Sequence, residues 1–424
     1  MPFNLHHLPG SGPRPGPRET IALLAGLMAL NAFAIDAMVP ALPDIGRSLH
    51  VVHENDQQLV IVAYFVGFAS TQLIWGPLAD RFGRKPILAA GVALYMLFAL
   101  LCGLAGSFSL LIAGRVAMGA SAAVTRVLVV AMVRDLFEGE AMARVMSLVF
   151  MVFMVVPVLA PSIGQLILLF GSWRAIFLVF AGYGLLMLAW SWFRLPETLH
   201  PEYRRSLAPG EIISAAVEAV KEPLSRGYTL ALTATFGALV AYISSIQQIV
   251  AEAFHQPHLL GLVFGAIAAP MALASWTNAR VVGRFGLRRV GHGASAAFLA
   301  VALVHLAVGV SGHESLVTFI ILQALTMVCF AFASSNLSTL AMDRMAAIAG
   351  TASSVQGVVG TIGAAIIGYA IGQAFNGTVL PFLWGMAGCA LAGSAFVVLT
   401  EPGRLFAGPT AAGEQPEPHA AAEA

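Results

Sequence analysis

The sequence holds 424 residues, of which 10% are charged and 58% apolar, with a formal net charge of +1. A soluble domain carries roughly 25% charged residues, so a water-soluble globule is excluded: it would expose a large apolar surface and aggregate. No basic stretch is long enough for a nucleic-acid surface, and the mean hydropathy of +0.84 points to lipid as the solvent.

Apolar runs of about 20 residues, the length that crosses a hydrocarbon core, recur along the chain. They fall near 20–42, 58–79, 87–107, 110–132, 145–169, 174–194, 229–252, 259–280, 293–311, 315–337, 348–374 and 379–399. The predicted fold is therefore an all-α polytopic membrane protein of twelve transmembrane helices. Residues 1–18 form an N-terminal tail and 19–194 a first six-helix bundle. Residues 195–227 are a central loop, 228–400 a second bundle, and 401–424 a tail rich in Ala, Pro, Gly and Glu whose composition predicts disorder. Ala32-Phe33-Ala34 mimics a signal-peptide cleavage site, but the first apolar run is too long for a signal core, so it is read as a span.

Lys and Arg placement sets orientation. Arg14, Arg18, Arg81, Arg84, Lys85, Arg134, Arg144, Arg194, Arg204, Arg205, Lys221, Arg226, Arg280, Arg284, Arg288, Arg289, Arg344 and Arg404 share one side, 18 of the 22 basic residues. Only Arg47 and Arg174 lie opposite. The expectation is a multi-pass protein of the inner (plasma) membrane with both termini in the cytoplasm. Cys102, Cys329 and Cys389 lie inside apolar runs without metal-ligand spacing and predict neither a disulfide framework nor a metal site. Arg81-Phe82-Gly83-Arg84-Lys85 after span 2 recurs as Arg284-Phe285-Gly286-Leu287-Arg288-Arg289 after span 8. A same-sense repeat of six spans implies two bundles able to rock about a central site.

An ionisable residue inside a span costs about 2.5–3.5 kcal/mol on insertion scales. Asp36, Arg115 and Arg126 are the clear cases, with His305 as a titratable outlier read as a packing residue. Asp36 lies seven residues before Pro43, or ~10 Å below the outer end, and Arg115 six after Ser109, or ~9 Å. Equal depth suggests that the two line one cavity and are electrostatically coupled, leaving Asp36 able to titrate as a proton carrier. Arg126 is eleven residues beyond Arg115, three turns plus about 20°, and shares its face. It either meets an anionic group in the cavity or snorkels toward headgroups. Phe33, Met38, Tyr64 and Phe68 in the first half, and Tyr242, Gln247, Gln248 and Gln356 in the second, are further cavity candidates; Gln323 is a polar residue on span 10. Pro157, Pro161 and Gly164, in a stretch that also holds Ala160, should interrupt the fifth helix and bend it.

Three segments carry a family resemblance. Gly76-Pro-Leu-Ala-Asp80-Arg81-Phe-Gly83-Arg84-Lys85-Pro86 resembles the signature loop after helix 2 of the major facilitator superfamily. Gly114-Arg115-Val-Ala-Met-Gly119 resembles its helix 4 motif, and Pro157-Val-Leu-Ala160-Pro161-Ser-Ile-Gly164 the helix 5 motif of its antiporters. Asp36-Ala-Met-Val-Pro40-Ala-Leu-Pro43, Val133-Arg134-Asp135-Leu136 and Ser172-Trp173-Arg174 are similar to the Bcr/CflA branch of drug:proton antiporters. Ile35 and Ala37-Met38-Val39 around Asp36 depart from that branch, as does Gly283 in place of the second loop's Asp. The resemblance implies that Asp80 helps lock the bundles on the cytoplasmic side, opposite the start of helix 11 near Ile348, and that Arg84 pairs with Asp135. It implies proton-driven efflux of small, largely apolar compounds by alternating access, or alternatively import of a metabolite with protons. The partners are then a small-molecule substrate, protons and the bilayer, with the monomer as the functional unit. No cofactor, ATP-binding loop or catalytic motif is expected, and a receptor without transport would not need Asp36 and Arg115.

Overall fold

A computed structural model describes residues 15–137, 139–200, 202, 209–345 and 348–406. Arg14, Arg204, Arg205 and the tail beyond 406 lie outside the described residues. In the first half, α1 is Pro17–Asp36, α2 Leu42–Ser48, α3 Leu59–Ser70, α4 Gln72–Phe82, α5 Arg84–Gly103, α6 Phe108–Leu136, α7 Gly139–Phe170 and α8 Trp173–Arg194. A linker helix, α9, is Pro209–Lys221. The second half has α10 (Pro223–Gln248), α11 (Leu260–Phe285), α12 (Leu287–Val310), α13 (Leu316–Ala341), α14 (Ala349–Gln373) and α15 (Leu380–Thr400). No strand occurs among the described residues.

Ten of these helices are long and apolar enough to cross a membrane, counting α1–α2 as one, and the bent pair α3–α4 makes an eleventh. The 32-residue α7 completes twelve. Large apolar side chains such as Leu169, Phe193 and Leu399 are exposed on the outside of this array, as lipid-facing positions must be.

Four expectations need correction. Span 1 is not one helix through residue 42: α1 stops at Asp36, a turn and a 3-10 segment Val39–Ala41 follow, and α2 continues to Ser48. Span 2 is broken at Thr71, where the axis bends by 44°. The Ser70 and Thr71 hydroxyls there bind the carbonyls of Gly67 and Ala120, at 2.7 and 2.6 Å, offering the backbone an alternative to straight helix. The fifth helix, by contrast, is uninterrupted, with Pro157 and Pro161 inside it; membrane helices tolerate proline when neighbours satisfy the freed groups. The central loop contains α9, and α10 begins at Pro223 rather than 229.

The two basic turns are built alike. Gly83 (φ +104°) ends α4 and starts α5, and Gly286 (φ +86°) ends α11 and starts α12. Only glycine adopts this conformation without strain, which explains the shared Phe-Gly step. The membrane face holding these turns is called the basic end below, and the opposite face the far end.

Candidate functional site

Asp36 terminates α1 and is buried, and its Oδ1 has no hydrogen-bond partner. Among the described residues it makes no ion pair. Tyr242 of α10, whose hydroxyl is also buried and unpartnered, lies within electrostatic reach of it. The carboxyl group therefore sits where the first bundle meets the second. Gly164 of α7 packs on the residue that follows: a Cβ there would stand 2.2 Å from the Ala37 carbonyl oxygen. Ala160 and Pro161 are buried beside it, so the α7 motif closes directly over the break in span 1.

Arg115 is fully buried on α6 but is not paired with Asp36. Its Nε donates to Val60 O at 2.8 Å and one Nη to Ala34 O at 3.2 Å, and its guanidinium lies 4.6 Å over the Tyr64 ring. No ion pair joins the two, because equal depth along two helices says nothing of direction around them, and α1 ends at Asp36. Tyr64 donates to Asn31 Oδ1 at 3.0 Å, and Asn31 Nδ2 to Thr125 Oγ1 at 2.7 Å, tying α3, α1 and α6 together. Phe68 stacks on Tyr64 and Met38 is buried in the break. Phe33 instead packs edge-on against Phe180 and Tyr183 of α8.

Arg126 occupies a different setting. Its side chain is exposed, and among the described residues it has no hydrogen bond or ion pair. Leu110, 55% exposed toward lipid, lies sixteen residues earlier, about 160° around the helix. The side of α6 bearing Arg126 faces between α1, touched through Thr125, and α3–α4, touched through Ala120 and Val127. That side is turned well away from the one that carries Leu110.

At the far end the bundles are clasped. Asn55 donates to Gln373 O (3.1 Å) and Phe375 O (2.9 Å), Gln248 donates to Asn55 Oδ1 (2.9 Å), and Gln373 donates to Asn55 O (3.0 Å). Gln58 bonds Gln248 and Gly372 O. Gln165 of α7 reaches Gly261 N and Pro257 O of the second half. These hydrogen bonds join the two halves at the far end. At the basic end Asp80 pairs with Arg84, not with the start of α14, and Arg84 Nε donates to Asp135 Oδ2 at 3.2 Å. Gly76 approaches Val127, Arg81 covers Phe82 and Lys85 covers Trp192, and Arg134 is exposed. Hydrogen bonds thus clasp the halves at the far end, whereas towards the basic end the contact is apolar, with Leu73 of α4 packed against Met345, Ala352 and Val355 of the second half.

In the second half, Gln247 is buried with an unpartnered Oε1, and Gln356 accepts from Ser338 while its Nε2 stays unpartnered. Gln323 has both polar atoms unpartnered. Gln248 belongs to the far-end clasp. His305 is buried against Glu314 (3.1 Å) and the Phe319 ring, away from the cleft, as a packing residue would be.

The amide clasp and two glutamates escaped sequence reasoning. Glu197 accepts from the backbone N–H groups of Arg84 and Lys85, and Glu401 binds Arg288 and Tyr228. Both follow the sixth span of their half, next to proline, a signal visible in Leu195-Pro196-Glu197 and Glu401-Pro402.

Two helical halves around a buried charged cleft define a membrane transport protein. The chain belongs to the major facilitator superfamily, whose family model matches residues 24–368. It is 31% identical over 381 residues to a bicyclomycin resistance protein homolog of Haemophilus influenzae, covering 88% of this chain and 93% of that one. It is 28% identical over 408 residues to the multidrug resistance protein MdtL of Escherichia coli, covering 93% and 97%. Such relatives agree with the Bcr/CflA resemblance. Among solved structures, the fold is similar to a D-xylose-proton symporter, with a TM-score of 0.71, 13% identity and coverage of 89% and 96%. It is also similar to a human organic anion transporter, TETRAN, with a TM-score of 0.62, 17% identity and coverage of 91% and 99%.

Proposed function

We propose that the protein exports small, largely apolar compounds in exchange for protons, by alternating access across the inner membrane, with the basic end in the cytoplasm. The observation that carries this is Asp36: a carboxyl group inside the membrane, unpartnered, at the seam between the bundles. A permanently ionised carboxylate without a partner would be costly there; one that exchanges a proton as the seam opens and closes is not. In the outward-facing state Asp36 takes a proton and substrate leaves. The bundles rock, Asp36 releases its proton to the cytoplasm, and substrate enters the cleft again. Each ligand shifts the equilibrium only by its differential affinity for the two states. Relatives named for bicyclomycin and multidrug resistance support a drug-like cargo.

The close seat of Gly164 on Ala37 supports antiport over symport, since it seals the path next to Asp36 and limits proton leak. In proteoliposomes with an acidic lumen, antiport accumulates substrate inside and a protonophore abolishes the accumulation. Accumulation driven by acid outside instead would establish the symport reading.

A further inference from the structure

Arg126, on the side of α6 turned between α1 and α3–α4, is a cation that no described residue neutralises. We propose that Arg126 is a substrate-binding residue and that the cargo carries an acidic group, an amphiphilic organic anion rather than a neutral compound; this deepens the reading of the cleft as the transport path and rests on it. Arg126 is about 16 Å along α6 from Arg115, beyond the reach of the carbonyls that hold Arg115. Its own surroundings offer no carboxylate: it has no ion pair among the described residues, and the acidic groups of the basic end, Asp80 and Asp135, are engaged with Arg84.

The same depth supplies further donors. Thr71 and Trp75 bind Ala120 O, which sets this stretch of α3–α4 beside residues 120–127 of α6. Gln72 at that level faces Gly357 of α14, and Gln356, the residue before it, accepts from Ser338. The Nε2 atoms of Gln72 and Gln356 are both buried and unpartnered. A side chain on a helix leans toward the N-terminus, which carries the Arg126 guanidinium up toward this level. The Arg126 guanidinium, with no acceptor spent on it, suits a carboxylate, sulfonate or phosphate on an otherwise apolar molecule, and the unpartnered amides of Gln72 and Gln356 are further donors on neighbouring helices. A bidentate contact of guanidinium with an oxyanion is the strong form of such recognition.

The test separates binding from transport. The full-length protein in detergent is titrated, without any proton gradient, with matched triads of one apolar body: 1-naphthaleneacetate, 1-naphthaleneacetamide and 1-naphthylmethylammonium, and the same three derivatives of biphenyl and decane. Wild type should bind the acid best in at least one triad. R126Q should bind that acid about tenfold or more weaker, the size of a lost charge-assisted hydrogen bond, with amide binding unchanged, and R126K should recover part of the loss. Equal preference for acid and amide in every triad, or acid binding that survives in R126Q, overturns the proposal. Proton-coupled flux in proteoliposomes is read separately: acid binding without such flux would sink the antiport reading and leave the acidic cargo standing.

Discussion

Arg115 and Arg126 share a face of one helix and have opposite surroundings. Arg115 is enclosed and holds two backbone carbonyls and a tyrosine ring, so its first effect is on architecture. R115M should remove two charge-assisted hydrogen bonds at about 1.5–3 kcal/mol each, seen as a lower thermal midpoint in detergent; an unchanged midpoint would show that the contacts carry no weight. Asp36 is different again, since no bond among the described residues depends on its charge. D36N should therefore fold with an unchanged midpoint, and a drop comparable with that of R115M would show a structural rather than a carrier role. Sequence alone located these ionisable residues because charge inside a span is rare. It could not assign their partners: Asp36 ends a helix where a continuous one was expected, and depth counting ignores the azimuth that aims Arg115 at α1 and α3.

At the scale of elements, two contacts decide which side is sealed. The glycine of α7 seats that helix on the break in span 1, where a Cβ would collide with backbone. G164V should push α7 outward and let protons cross without substrate, detected as faster decay of an imposed pH gradient in proteoliposomes; a leak equal to wild type would contradict the seal. The far-end clasp joins Asn55 and Gln58, in the 3-10 turn Glu54–Gln58 before α3, to α10 and α14. Each of its hydrogen bonds is worth about 0.5–1.5 kcal/mol net, and together they can shift a two-state population strongly. Q58L with Q248L should favour the outward-open state, raising labelling of a cysteine placed at Asn376 and lowering that of one at Ser353. Unchanged labelling would mean that the clasp does not hold the closed end. Sequence reading missed this clasp because its amides come from distant parts of the chain, and a glutamine in an apolar run carries no mark of its partner. It expected the α7 prolines to break the helix, but α7 runs through Pro157 and Pro161, since neighbouring membrane helices satisfy the groups that proline frees.

For the whole molecule, the span pattern, the charge asymmetry and the repeated basic turn were enough to predict twelve helices in two bundles, and the family match and structural neighbours agree with that fold. The repeat also has a mechanical counterpart. Arg84 with Asp135 and Glu197 in one half corresponds to Arg288 with Asp343 and Glu401 in the other. The register slips by one residue, which hides the second arginine from simple alignment at an offset of 203. Burial raises the Glu401 carboxyl but its bonds from Arg288 and Tyr228 outweigh this and hold it below the usual glutamate range. A depressed carboxylate stabilises the fold above its unfolded-state value and loses that contribution as pH falls through the folded one. Acidification below the normal glutamate range should loosen this corner in wild type, and E401Q should remove that part of the acid sensitivity; identical acid profiles would contradict it.

Proton carriage by Asp36 is tested most directly by adding a transported compound to proteoliposomes loaded with a pH-sensitive dye and an acidic lumen. Wild type should discharge the gradient on addition, while D36N should not, yet still exchange labelled for unlabelled compound across the membrane. Equal discharge by D36N would contradict the account.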